Sequence, residues 1–164
     1  MSTPQATTET SDADRRYPMS GIAFERLVDE ESRLSALAQG QGVDEASGEA
    51  PDASQVATSI LEAGSIDRRL AAIRAAVAAA EISETPDTAV IGRTVRIQED
   101  GTDDSFRLVI PGTGDPANGS ISIDSPLGGA LVGSRPGDRV EYATPGGVRT
   151  AIVESLETDE GAPF

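Results

Sequence analysis

The sequence predicts an α+β protein: an N-terminal antiparallel α-helical coiled-coil hairpin, followed by a small antiparallel sheet domain with one short helix. Three observations give this class. Apolar residues recur at steps of three and four through the first half, as on a helix with one buried stripe. Thr85-Pro86-Asp87 ends that rhythm, and apolar and polar residues alternate afterwards as in strands. Segments rich in Gly, Pro, Asp and Asn then recur between the alternating runs.

Residues 1–18 are rich in Thr, Ser, Asp and Glu, and read as a disordered leader. Residues 19–84 form the hairpin. Its first arm starts at Ser20, a suitable N-cap, carries Phe24, Leu27, Leu34 and Leu37, and stops at Gly40 and Gly42. Residues 40–54 are the tip. The second arm starts at residues 52–54, with a stripe at Val56, Ile60, Ala63, Ile66, Leu70, Ile73, Val77 and Ala80. Two such stripes bury each other when the arms fold back. At 1.5 Å per residue the second arm reaches about 40 Å. A thin hairpin of that length has little core and serves reach.

Residues 85–157 form the sheet domain. The expected strands are 93–99, 105–110, 120–124, 138–143 and 148–155, with turns at 99–104, 111–119 and 144–147. Ser125 caps a short helix over 125–131, with Pro126 at its first position. Ile121, Ile123, Leu127 and Leu131 are expected in the core. Residues 158–164 read as a loose tail.

Composition removes several function classes. The 164 residues give one ordinary domain and a smaller appendage. The net charge of −15 opposes duplex DNA as a direct ligand, which needs a cationic surface, and suggests a basic protein partner or a cation held by carboxylates, the plain alternative being that acidity serves solubility alone. With no Cys and no His there are no disulfides, thiolate chemistry, His-based triads or ordinary zinc sites. All thirteen basic residues are Arg. No apolar run approaches the roughly 20 residues of a membrane span, and the polar N-terminus is no secretory signal, so the expected location is cytoplasmic. Gly112-x-Gly114 lacks the spacing and following helix of a phosphate-binding loop.

Two groups of residues carry a resemblance. Ile121-Ser122-Ile123-Asp124-Ser125-Pro126-Leu127, then Ala130-Leu131-Val132-Gly133, Gly137-Asp138 and Thr144-Pro145-Gly146-Gly147, resemble the C-terminal domain signature of Gre-type transcription elongation factors (the GreA/GreB family). Arg69-Leu70-x-x-Ile73-x-x-x-Val77-x-x-Ala80-Glu81-Ile82 is similar to the end of the Gre coiled coil. The resemblance implies an FKBP-like C-terminal sheet. It also implies an accessory factor of bacterial RNA polymerase, not a free-standing enzyme. The sheet domain would dock at the rim of the secondary channel, through Asp124, Ser125 and Pro126. The coiled coil would enter the channel as a monomer and meet nucleic acid only through the polymerase. Two tip carboxylates would help hold a magnesium ion while the polymerase cleaves backtracked RNA; the chain has no cofactor of its own.

The family tip reads Gly-Asp-x-x-Glu. Here Gly48-Glu49-Ala50-Pro51-Asp52 occupies that place, with the acid spacing kept and the two acids exchanged. Glu49 and Asp52 are the expected pair, with Asp44 and Glu45 as alternates. The first arm is about five residues shorter than in the family, and Gly40, Gly42, Gly48 and Pro51 oppose a rigid helical tip. The alternative is therefore a Gre-like factor, or one like the regulators named for nucleoside diphosphate kinase, that binds polymerase without stimulating cleavage and inhibits transcription. An FKBP-like fold also raises prolyl isomerase activity, but such a pocket needs aromatic walls and the module offers only Phe106 and Tyr142.

Overall fold

The computed structural model describes residues 16–39 and 53–158, with the side chains of the second helix described mainly from Gly64 onward. The elements follow in order as β1 (Tyr17–Met19), α1 (Gly21–Ala38), α2 (Ala53–Ala78), β2 (Ala80–Ile82), β3 (Arg93–Glu99), β4 (Thr102–Val109), β5 (Ser120–Ser122), α3 (Pro126–Leu131), β6 (Arg139–Thr144) and β7 (Gly147–Thr158). The expected α+β class is the observed one.

Helix α1 starts where its cap predicts. The Ser20 hydroxyl accepts from the Ala23 N–H at 3.2 Å, satisfying one of the free donors of the first turn. Met19 before the cap and Phe24 in the second turn belong to one apolar cluster, as in a hydrophobic staple. Helix α2 packs on α1 through Leu70, Ile73 and Ala76. Glu30 meets Arg69 and Glu31 meets Arg74, each at 2.9 Å. These partly exposed pairs fix register more than stability, at under about 1 kcal/mol each.

The second arm ends earlier than its apolar stripe suggests. Helix α2 stops at Ala78, and residues 80–82, read from sequence as helix, form strand β2 parallel to β1. Tertiary pairing decides this. The Tyr17 N–H donates to the Ala79 carbonyl at 2.9 Å, and the Ser83 N–H to the Met19 carbonyl at 2.9 Å. A terminal carbonyl of the helix thereby gains a partner that another helical turn would not supply. Tyr17 and Pro18, placed by sequence in the leader, are thus half of a two-stranded sheet. The opposite edge of β1 is also taken: the Ile91 N–H donates to the Pro18 carbonyl at 2.9 Å and the Ser20 N–H to the Ile91 carbonyl at 3.1 Å. Strand β1 is therefore a seam joining the base of the hairpin to the sheet domain.

The main sheet has strand order β5-β4-β3-β7-β6. Its pairs are antiparallel except β4–β5, which is parallel; the loop 111–119 carries the chain back before β5 begins. Sequence suggests a wide turn over 99–104, but Glu99 pairs with Thr102 across Asp100-Gly101. Asp100 takes φ 49°, the left-handed conformation of a two-residue hairpin turn. Strand β5 is shorter than expected because the chain turns at Ile123, where the Ser125 N–H closes on the Ser122 carbonyl at 3.0 Å. Thr158, assigned by sequence to the tail, pairs with Arg93.

Strand β7 changes parity midway. Arg96 pairs with Ser155 but Ile97 with Val153, leaving Glu154 as the extra residue of a bulge. Ala151 and Val153 point into the core before it, and Leu156 packs there after it. Two clusters result. One is the sheet-domain core of Val95, Ile97, Leu108, Leu131 and Val153. The other joins Met19, Ala23, Leu27, Ile73, Ile91 and Ile110 at the hairpin base. Burial in α1 is confined to Ala23 and Leu27, near its start, while Leu37 at its far end is 60 % exposed.

Candidate functional site

The loop from β5 to α3 is set by backbone geometry around Ser122. Its carbonyl accepts from the Ser125 N–H and from the Ser125 hydroxyl at 2.6 Å. The same Ser125 oxygen accepts from the Gly128 N–H at 3.1 Å, capping α3. Pro126 follows at the first helical position, where its missing N–H costs nothing. The Ser122 hydroxyl lies between the Ile110 carbonyl, at 3.2 Å, and the Asp124 carboxylate. Its single proton serves one of them at a time.

Ile123 touches both clusters, so its side chain wedges inward and Asp124 is left exposed beside it. The three residues expected from sequence to form the docking surface therefore sit together at the start of α3. They border a groove of about 440 Å³. Arg16 and, from β1, Tyr17 and Pro18 also line it, residues that sequence reasoning missed. A signal was present: an apolar residue just before the Ser20 cap implies an anchored approach to the helix, which a loose leader does not give.

Glu49, Asp52, Asp44 and Glu45, the expected tip carboxylates, lie outside the described residues. Among the described residues no group of three or more carboxylates gathers as a metal site would.

A second polar cluster ties the two hairpins of the sheet together. The Tyr142 hydroxyl donates to Glu99 at 2.6 Å, and Arg149, paired with Tyr142 across β6 and β7, meets the other Glu99 oxygen at 2.9 Å. The Tyr142 hydrogen bond, with Arg149 beside it, holds the Glu99 carboxyl below its ordinary range. Burial, reinforced by the Glu99 carboxylate, pushes the Tyr142 phenol up to about 12. Glu99 is depressed, so its contribution to stability is present above the ordinary carboxylate range and lost as pH falls through its lowered value. Tyr142 is raised, so its contribution holds below pH 10.0 and is lost as pH rises to about 12. The tyrosinate absorbance that disappears in Tyr142→Phe is expected to titrate near 12 in the folded protein; a midpoint near 10 would break the link to Glu99.

Comparison with known proteins decides the family. Residues 84–158 match the family described as "Transcription elongation factor, GreA/GreB, C-term". The chain is 30 % identical over 145 residues to the transcription elongation factor GreA of Geobacillus kaustophilus, covering 82 % of this chain and 92 % of that one. The chain belongs to the GreA/GreB family. Among its relatives is GreA of Sulfurovum sp., 27 % identical over 157 residues, 89 % of this chain and 97 % of that one. Among solved structures, the GreA factor homolog 1 protein of Thermus thermophilus covers 87 % of this chain and 99 % of its own, at 25 % identity and TM-score 0.40. The assignment rests on the sequence relatives. Several Gre signature residues now have local reasons. The Gly133 N–H donates to the Ala89 carbonyl, the Asp138 carboxylate accepts from the Arg135 N–H, and the Thr144 hydroxyl donates to the Gly147 carbonyl.

Proposed function

We propose that this Gre-family chain is an accessory factor of bacterial RNA polymerase. It docks at the secondary-channel rim through Asp124, Ser125 and Pro126, and extends its helical hairpin into the channel. The observation that carries this reading is the distribution of burial along the hairpin. The described helices are anchored at one end, by Ala23, Leu27, Ile73 and Ala76, and α1 has no buried side chain beyond that base. Helices serving only a core would be buried along their length.

On this reading Glu49 and Asp52 at the tip present carboxylate oxygens, the donor type that magnesium takes. Two carboxylates are too few to hold the ion alone, so the polymerase supplies the remaining ligands. An ion bound there lowers the pKa of a water and neutralises charge at the phosphorus under attack. The chain's own task is reach and the placing of two acids.

The test is a backtracked elongation complex with magnesium. Wild-type protein is expected to release short 3′ RNA, and Glu49→Ala with Asp52→Ala to reduce release on the order of a hundredfold or more. Full activity in the double variant would move the role to Asp44 and Glu45. The tip composition favours one second reading: Gly40, Gly42, Gly48 and Pro51 raise the entropy cost of ordering a metal site. A factor that docks and blocks the channel without cleavage would slow elongation and release no RNA.

A further inference from the structure

We infer that the buried Arg93 guanidinium is the seat of residues 159–164, the segment that follows β7. A carboxylate from Asp159 or Glu160 lies against it and braces the connection between the helical hairpin and the sheet domain. The inference is independent of the polymerase reading. Among the described residues Arg93 is the one charged side chain that is buried, at 7 % exposure. Its Nη1 donates to the Pro86 carbonyl, while Nε, shielded from water, has no hydrogen-bond partner. Arginines nearer the solvent are better served: Arg69, Arg74, Arg96 and Arg149 each meet a carboxylate. Among the described residues no carboxylate meets Arg93, although Asp87 adjoins its acceptor Pro86. An arginine carries its charge into a buried site, and burial without an opposite charge is strongly unfavourable. A carboxylate supplies both the charge and the acceptor that Nε lacks.

The position of Arg93 selects the occupant. Arg93 opens β3 and pairs with Thr158, the end of β7. Asp159 and Glu160 come next in the sequence and lie outside the described residues. Two residues of extended chain span at most about 7 Å, so the covalent connection keeps both carboxylates near Arg93 at high effective concentration. Pro86 is exposed, which puts the guanidinium just beneath the surface. A free anion would have to be captured from solution against a net charge of −15.

The carbonyl that Arg93 holds belongs to the connection from β2 to β3. At one end of that connection the Ser83 N–H donates to the Met19 carbonyl at the hairpin base. At the other, the Ala89 N–H donates to the Ser134 carbonyl and the Ala89 carbonyl accepts from the Gly133 N–H, each at 2.8 Å. Between these anchors Arg93 grips Pro86, so a carboxylate that fixes the guanidinium also fixes the connection.

The experiment neutralises the segment in the full chain, as Asp159→Asn with Glu160→Gln, in the wild-type and the Arg93→Met backgrounds. In the wild-type background the melting temperature is expected to fall by at least about 3 °C, with faster amide exchange over residues 84–88. In Arg93→Met the same substitutions are expected to change neither, because the group they serve is gone. Equal falls in both backgrounds, or no fall in either, would overturn the inference. So would a fall in Asp87→Asn that vanishes in Arg93→Met, found together with no effect of the neutral segment; the counter-charge would then be Asp87. Should Arg93→Met fail to fold, the Arg93 Nε–H resonance of otherwise native protein decides: it shifts in the neutral-segment variant if the carboxylate is seated there, and an unmoved resonance sinks the idea.

Discussion

Gly92→Ala is expected to detach the base of the hairpin from the sheet domain. Gly92 has φ +87°, and a Cβ there would overlap the Ala23 methyl group while standing 3.0 Å from the Ser20 hydroxyl and 3.4 Å from the Ala23 Cα. Two costs add. A side chain in left-handed backbone costs about 1–2 kcal/mol. Driving a methyl into the first turn of α1 costs a further 1–3 kcal/mol or so. The sum lowers the melting temperature by roughly 5–15 °C for a chain of this size. Gly101 isolates the first cost: it has φ +80° with no atom within 4 Å of an added Cβ, so Gly101→Ala should lose only the backbone share. Amide exchange supplies the spatial test. In Gly92→Ala, protection should fall in β1 and the first turn of α1 while β3 and β7 keep theirs. Equal melting temperatures for the two variants would show that the close approach of α1 to Gly92 does not govern stability.

Gly128→Ala should damage the loop proposed for docking more than the molecule as a whole. Its Cβ would run into the Ser122 carbonyl oxygen, 2.8 Å from the carbonyl carbon and 2.9 Å from the Ser125 hydroxyl oxygen. Those are the atoms that hold the loop. The Ser122 carbonyl receives both the Ser125 N–H and the Ser125 hydroxyl, so displacing it opens the cap of α3 and releases Asp124. A stability loss of about 3 kcal/mol is expected. Polymerase affinity, measured well below the melting temperature, should fall by at least about tenfold. Gly101→Ala, in the β3–β4 turn and not among the residues that line the groove, is the control, since an added Cβ there meets no atom within 4 Å. Equal binding by the two variants would remove the loop from the docking surface.

The parts legible in the sequence are those set by local rules. The Ser20 cap, the Ser125-Pro126 start of α3 and the alternation of β3 each follow from near neighbours, and each sits where the pattern places it. What escaped depends on distant partners. Ala80 continues the helical stripe, yet β1 claims residues 80–82 as a strand. Leu156 falls out of phase with Val153 until the bulge at Glu154 restores it to the core. The site divides in the same way. Asp124, Ser125 and Pro126 are contiguous and show themselves as a motif. Tyr17 reaches the same groove through the pairing of β1; Met19 before the Ser20 cap hints at an anchored approach, but no local pattern names the partner strand.

That seam also bears on how the molecule acquires its shape. Residues of β1 pair with positions far along the chain, at Ala80–Ile82 and Ile91. Closing so large a loop before other contacts exist is entropically unfavourable. Folding the two helices back on each other would shorten the loop, and the hairpins of β3–β4 and β6–β7 are short-range. The kinetic order expected from this is local hairpins early and the β1 seam, which attaches the helical hairpin, late.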